Sequence, residues 1–491
     1  MSKNHLIAYG KLCSLMAIIM GGLLLASCAD DGYDDGERFE SGVRNSQLDS
    51  PTEVNVTASA DGKSQTFAWP VVYGASGYQV ALYDASNMDE ALVDSLVEGC
   101  TVTMKREEDI NYVLSIRTIG NSELGNTDAS ESLLYRFTTF TPTFATIPAG
   151  SDLNEWFAEN PIPSDSLGKN LNFDLEGGAE YTLSAALDFD AFAVTLRSTS
   201  KTNHAKITYT TAESTINFGA GLNVKYLDFD CSGMGDNNMG VFAFSKNPTG
   251  PIGTDIDAAT YKWTGLLILD PVTIVNCNFY NVKGYFMWDN QVKACAMTVL
   301  VDNCVVHLAP EKSLAGGVFW SNKGGQFNNL TVSNSTFYEL PDCPGDYKYF
   351  YQAGMVSGEE IYAVKEAASN STTYENSTFY HVTWNNGQWG NYNRMGGRDC
   401  SWWTMTDCIF YDCSPTGVAR RFLHGKKNQK HVVCANNTYM KKDGTFDNNE
   451  YDTSGTMIEE DPVFANPAAA DFTISGPTQV ARKTGDPRWL P

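Results

Sequence analysis

Two stretches near the C-terminal end carry side chains whose types could do chemistry. The first is TWNNGQWGNYNRMGGRDCSWW, Thr383 to Trp403, where Trp384, Trp389, Tyr392, Trp402 and Trp403 crowd among Asn and Gly. Aromatic faces stack on the C–H edges of sugar rings, and neighbouring amides and guanidinium groups bond the hydroxyls. The second stretch follows directly. From Cys413 to Lys442 there is no Asp or Glu, while Arg420, Arg421, Lys426, Lys427, Lys430, Lys441 and Lys442 supply positive charge. Its core, RRFLHGKKNQK, reads as a loop over a groove. Together with Arg394, Arg398 and His424 these groups could meet the carboxylates of an acidic polysaccharide.

The same residues would serve a lyase as an alternative. Elimination across a uronate needs a base, here Lys426 or Arg421, with its pKa lowered by its surroundings. It also needs a cation such as Ca²⁺ to hold the carboxylate as the α-proton leaves. The candidate ligands are Asp228, Asp230 and Asp236, with Asn237, in DFDCSGMGDNN, although their spacing is not that of an EF-hand. The His residues form no HxH or HExxH pattern, so zinc has no support. With 58 acidic against 34 basic residues and a formal charge of −24, nucleic acid and anionic lipid surfaces are poor partners.

The elements that must position these groups are legible in a repeat. NSTFY occurs at Asn334 and again at Asn376, and lining up the chain on it brings out VNCNFYNV, DNCVVHLA, TDCIFYDC and ANNTYM. The recurring Asn or Asp falls at 276, 303, 334, 376, 407 and 436, giving intervals of 27, 31, 42, 31 and 29 residues. An earlier relative, LNVKYLDFDCSG, begins at Leu222. Repeats of this length mark a solenoid. Within each copy the alternation Val275, Cys277, Phe279 is that of a strand. Each copy buries its inner face only by stacking on neighbours, and the variable intervals put loops of different length on one face. On this reading Asn334 and Asn376 are corner positions rather than glycan acceptors. Cys277, Cys304 and Cys408 share a column with Ser335 and Ser377. They are either small residues stacked inside the coil or, for Cys277 and Cys304, a disulfide between adjacent rungs.

The repeat, with Asn or Asp at a recurring corner, resembles the right-handed parallel β-helix of the pectin-lyase-like superfamily over residues 145–491. That resemblance implies an all-β solenoid and a polysaccharide partner. The hydrolases of the superfamily use close aspartate pairs, but Asp-Asp pairs occur here only at Asp30–Asp31 and Asp34–Asp35. Residues 51–140 read as a small β-sandwich. Its order W…GYxVxLY…YxxxIRxxG…FTT, with Trp69 and Tyr112 as core aromatics, resembles a fibronectin type III module.

Lys3, Lys11 and the apolar run SLMAIIMGGLLLA form a targeting segment over residues 1–28. Leu25-Ala26-Ser27-Cys28 resembles a bacterial lipobox, which implies lipidation of Cys28. No other apolar run is long enough to span a membrane, so the expected association is through a lipid anchor only. The acidic run ADDGYDDGERFE opens a disordered tether over residues 29–50. It resembles the surface-export signal of Bacteroidota lipoproteins, and the closing segment DPVFANPAAADFTISGPT resembles that of β-helix lipoproteins encoded beside glycan importers. The sequence thus points to an outer-membrane, cell-surface lipoprotein that binds an extracellular, uronate-containing polysaccharide for uptake by a neighbouring importer. The alternatives are a polysaccharide lyase on the same glycan, and an adhesin or stalk.

Overall fold

The structure, a computed structural model, describes residues 42–59, 64–85, 87–236, 238–246, 254–256, 265–323, 325–353, 369–391, 401–423, 431–447 and 451–491. Cys28 lies outside them. The chain divides into two compact units, up to Thr141 and from Pro142 onward.

The first unit packs two antiparallel sheets face to face. One holds Asn55–Ala58, Ser64–Ala68 and Thr101–Lys105; the other holds Val93–Val97, Ala75–Asp84, Asn111–Gly120 and Leu133–Thr138. Alternation along Ser64–Ala68 and Asn111–Gly120 sends Phe67, Tyr112, Leu114 and Ile116 inward. Trp69 packs edge-on against Tyr78 at 5.3 Å, and Tyr112 stacks on Phe137 at 5.0 Å. The tether expected through residue 50 ends earlier. Asn45 and Leu48 donate backbone hydrogen bonds to Leu124 (3.0 Å) and Thr127 (3.1 Å), because Leu48 finds an apolar seat and is buried.

The second unit is a right-handed parallel β-helix, the handedness that parallel crossovers in one sheet adopt. Three sheets wrap one core. Sheet A runs from Glu180–Leu183 to Thr438–Met440, sheet B from Ala186–Asp188 to Gln388–Asn391, and sheet C from Ala145–Ile147 to Val432–Ala435. One coil, for example, is Val272–Val275 in sheet C, Asn278–Val282 in sheet A and Tyr285–Trp288 in sheet B.

The repeated Asn or Asp makes the corner from sheet C to sheet A. Asn276, Asn303, Asn334, Asn376, Asp407 and Asn436 have φ of 54°, 51°, 48°, 46°, 54° and 51°. This is the left-handed region, which Asn and Asp tolerate better than other side chains. Each corner N–H donates to the next rung, from Asn276 to Asp302 O through Asp407 to Ala435 O, at 2.8 to 3.2 Å. The side chains form a ladder as well: Asn303 donates to Asn276, Asn334 to Asp302 (2.8 Å) and Asn436 to Asp407 (2.9 Å). The glycan-acceptor alternative loses its footing at Asn334, whose amide nitrogen is engaged here.

Inside the corner Cys277, Cys304, Ser335, Ser377 and Cys408 are buried, and the nine described cysteines are all unbridged. Ser335 Oγ accepts from Cys304 N (3.0 Å) and Ser377 Oγ from Ser335 N (3.2 Å). Cys277 and Cys304 Sγ face the carbonyls of Val275 and Asp302, each at 3.3 Å. The column is therefore one of small stacked residues, and the rung-to-rung disulfide is absent.

Two positions further on, most copies carry an aromatic that stacks on the next, Val306 being the exception. Phe229 lies over Phe279 at 4.7 Å, Phe379 over Phe410 at 5.0 Å and Phe410 over Tyr439 at 5.5 Å, all near parallel. Sheet B answers with Phe242, Phe286 and Phe350, which meet this ladder edge-on. Such pairs add about 0.5–1.5 kcal/mol each beyond burial.

A coil stack leaves an open end at each terminus that must be covered. At the N-terminal end, helix Leu153–Glu159 is capped by Asp152, which accepts from Asn154 N (3.0 Å) and Glu155 N (3.2 Å). It sets Trp156 and Phe157 on Phe173. Phe379→Ala removes a ring with stacked partners on both sides and should cost about 3–5 kcal/mol in urea unfolding of the β-helix. A loss under about 1 kcal/mol would mean that the ladder does not hold the coil.

Candidate functional site

The tryptophans expected to meet sugar are mostly part of the core. Trp389 lies on the last strand of sheet B, is 0 % exposed, and stacks on Phe350 at 4.4 Å with an angle of 4°. Trp403 is buried with its edge on Phe422 at 5.5 Å. Both misread for one reason: Gln388–Asn391 and Ser401–Thr406 are strands, so alternation turns these residues inward. Trp402, next to Trp403, points outward as adjacent strand residues must. It is 44 % exposed and stacks on His431 at 4.5 Å.

The start of the basic segment is also not a loop over a groove. Val418–Phe422 is a short helix whose Val418, Ala419 and Phe422 are buried, with Phe422 on Tyr374 at 5.4 Å. Arg420 is exposed, and Arg421 Nε donates to Thr416 Oγ1 at 3.2 Å. Tyr392, Arg394, Arg398, His424 and Lys426 lie outside the described residues, as does Asn237. The aspartates proposed for a cation take separate partners. Asp228 pairs with His204 (2.9 Å) and Asn278 (2.8 Å), Asp230 accepts from Ser232 N (3.1 Å), and Asp236 pairs with Lys312 (2.8 Å). No metal-binding group of His, Cys, Asp or Glu forms among the described residues.

The outer faces of the three sheets differ in what they can still bind. The later strands of sheet A are covered by the chain's own C-terminal segment, while Tyr280 on an earlier strand is 41 % exposed. Phe472 packs on Tyr338 and Tyr380, Phe464 on Tyr380 and Tyr411, and Trp489 Nε1 donates to Thr336 Oγ1 at 2.8 Å. Asp486 accepts from Thr336 (2.7 Å), and Arg488 reaches Asn303. Sheet C presents short polar side chains that bond along the stack. Arg197 meets Asp174 at 2.7 Å, Thr273 donates to Asn223 at 2.5 Å, and Ser371 donates to Asn329 at 3.1 Å.

Sheet B carries a groove of about 630 Å³, within the range of small-ligand pockets. Four adjacent strands floor and wall it: Ala186–Asp188, Thr215–Phe218, Gly240–Phe244 and Tyr285–Trp288. Asn217, Ala243 and Trp288 are successive register partners, so the small Ala243 leaves a pit beside the indole. Trp288 is 6 % exposed, which offers a strip of ring as a wall, and its Nε1 has no hydrogen-bond partner among the described residues. Asn238, Asn290 and Gln291 rim the groove, all three held at positive φ; Asn290 is fixed by its bond to Phe244 O at 2.9 Å. Convergent amides beside an aromatic wall can bond hydroxyls and pack C–H faces. The readable signal was a second column, YFMW, GGVFW and YKYFY, trailing each Asn corner.

Trp384 belongs to a different, buried cluster. Its indole donates to Glu339 Oε2 at 3.0 Å and stacks on His381 at 4.6 Å, while His381 bonds Asp412 at 2.6 Å. Glu339 ends a sheet A strand and Asp346 immediately precedes the next sheet B strand, so the turn between them brings the two buried carboxyls near each other. Burial raises both: Glu339 well above the usual carboxylate range and Asp346 to about 7, where bonds from Asn385 N (2.6 Å) and Tyr347 N (2.7 Å) limit its rise. With 0 % and 2 % exposure the pair is structural rather than open to substrate.

The folded chain therefore binds more protons than the unfolded chain between about pH 4 and about pH 7. Stability from this pair is present below that window and is lost as pH rises through it. Glu339→Gln keeps an acceptor for Trp384 and removes one of the two buried titrating carboxyls. The fall in Tm between pH 5 and pH 8 should be smaller in Glu339→Gln than in the wild type. An equal fall would mean that burial of Glu339 does not contribute to the pH dependence.

Three family models match parts of the chain: DUF4992, Domain of unknown function, over residues 1–186; Domain of unknown function (DUF4957) over 179–340; and DUF5123, Domain of unknown function, over 272–489. A comparison with curated proteins finds no match. Among solved structures the chain is similar to pectate lyase PelI from Erwinia chrysanthemi in complex with tetragalacturonic acid, at 11 % identity and a TM-score of 0.18, covering 73 % of this chain and 88 % of that one. It is also similar to pectate lyase Pel3 from Pectobacterium carotovorum, at 8 % identity and a TM-score of 0.20, covering 79 % and 99 %. Identities and scores this low say nothing of activity.

Proposed function

We propose that the chain is a cell-surface lipoprotein that binds an extracellular polysaccharide in the groove of sheet B. The observation that carries this reading is the groove itself, a ligand-sized concavity on the face that neither the C-terminal segment nor a side-chain ladder occupies. Four strands at ~4.8 Å spacing give it a length of ~14 Å, room for about three sugar rings in line. Lipidation at Cys28 would hold the protein on the outer membrane. The N-terminal sandwich, read as a fibronectin type III-like spacer, would lift the β-helix toward glycan, and a neighbouring importer would take up what is captured.

The lyase alternative needs a base beside a cation site. Among the described residues Arg421 is engaged by Thr416, and Asp228, Asp230 and Asp236 point to separate partners. Lys426 lies outside the described residues, and our reading is binding without turnover. The aromatic cluster first assigned to sugar is replaced by Trp288 and the amides around it.

Retention on a panel of immobilised polysaccharides, measured with wild type and variants, tests this. Trp288→Ala should weaken binding at least ~10-fold, about 1.4 kcal/mol, while Trp402→Ala changes it less than ~2-fold, about 0.4 kcal/mol. Unaltered Tm in each variant would separate lost contact from lost fold. Loss of binding in Trp402→Ala alone would move the site to sheet C.

A further inference from the structure

Resting on the sheet B reading, we infer that the polysaccharide bound there is a neutral chain rather than a uronate. The charges around the groove decide this. Among the described residues its lining holds one carboxylate, Glu213, and one ammonium, Lys246, which cancel; the other polar groups are the hydroxyl of Thr215 and the amides of Asn217, Asn238, Asn290 and Gln291. At the end of the first strand Asp188, register partner of Asn217, adds a further negative charge. Its carboxylate accepts from the hydroxyl of Ser245 at 2.5 Å and from Asp190 N at 2.9 Å, with no cation among these partners.

A polyuronate would bring one carboxylate per ring, so about three along this length. Each would lose water against amides and an indole with a single ammonium in reach. A carboxylate taken out of water without a paired cation is costly, and it would be expelled rather than held. The field of a −24 chain adds to that repulsion.

A neutral hexose chain presents the opposite chemistry. Its hydroxyls donate and accept, as primary amides do, so adjacent Asn and Gln side chains can bond vicinal pairs. Its C–H faces suit Met239, Ala243 and the strip of Trp288. The orphaned Nε1 of Trp288 does not enter this argument, since it is shielded from the groove.

The test compares a matched pair: polygalacturonate, and the same polymer after chemical reduction of its carboxyls to hydroxymethyl groups, beside a panel of neutral hexans. The full-length chain is titrated with each at low salt and at 0.5 M NaCl. The expected result is saturable binding to at least one neutral polymer, weakened at least ~10-fold by Trp288→Ala and changed less than ~2-fold by salt. Binding confined to polygalacturonate, and falling steeply with salt, would overturn the neutral assignment while leaving a polysaccharide ligand in place. Binding to none of the polymers, acidic or neutral, would overturn the polysaccharide reading itself. Neutral-polymer binding that survives Trp288→Ala unchanged would overturn the assignment to this groove.

Discussion

From Tyr226 onward the β-helix turns from sheet C into sheet A through a single residue in the left-handed region, coil after coil. Only residues that tolerate positive φ can stand there without strain, and each corner passes its N–H to the rung beyond. Because this turn repeats without a change of length, the residues after it stay in register from Asn276 to Asn436. That register lets Cys or Ser fall in one column and Phe or Tyr in the next. The aromatic ladder is thus a consequence of the corner.

Fixed corners on one side push variation to the others. Between sheets A and B the chain leaves in turns of different length, and one of them folds Glu339 against Asp346 beneath Trp384. The C-terminal segment then lies back along sheet A and closes it from Tyr411 to Thr336. Sheet C spends its outward groups on one another. Among the described residues the early part of sheet B is concave, where Ala243 sits between larger neighbours and leaves space that a ligand can fill.

The fold was legible because the corner and the column inside it constrain residue type in every copy; NSTFY is that constraint written twice. The site was not. In sheet B the outward position takes Asn217, Ala243, Trp288 and Trp320 in turn, so no recurring letter marks it. Trp389 misled for a related reason. The Asn- and Gly-rich run around it has the composition of a loop, yet Gln388–Asn391 is a strand, and stacking on Phe350 outweighs local preference. Arg420 and Arg421 misled because charge was visible in the sequence, whereas the burial of Val418 and Phe422 beside them depends on Tyr374 and Trp403 from other coils. The Glu339–Asp346 pair was out of reach as well, since nothing in seven residues of sequence says that a turn will close over both carboxyls.

Binding, on this account, is a property of the face that folding leaves uncovered. Diffraction from crystals soaked with a neutral oligosaccharide that the protein retains in solution tests this most directly. The account predicts sugar density on the outer face of sheet B, between Thr215 and Trp288, with hydroxyls on Asn217 and Gln291. Density at Trp402 on sheet C, or beside Arg420, with the sheet B groove empty would contradict it.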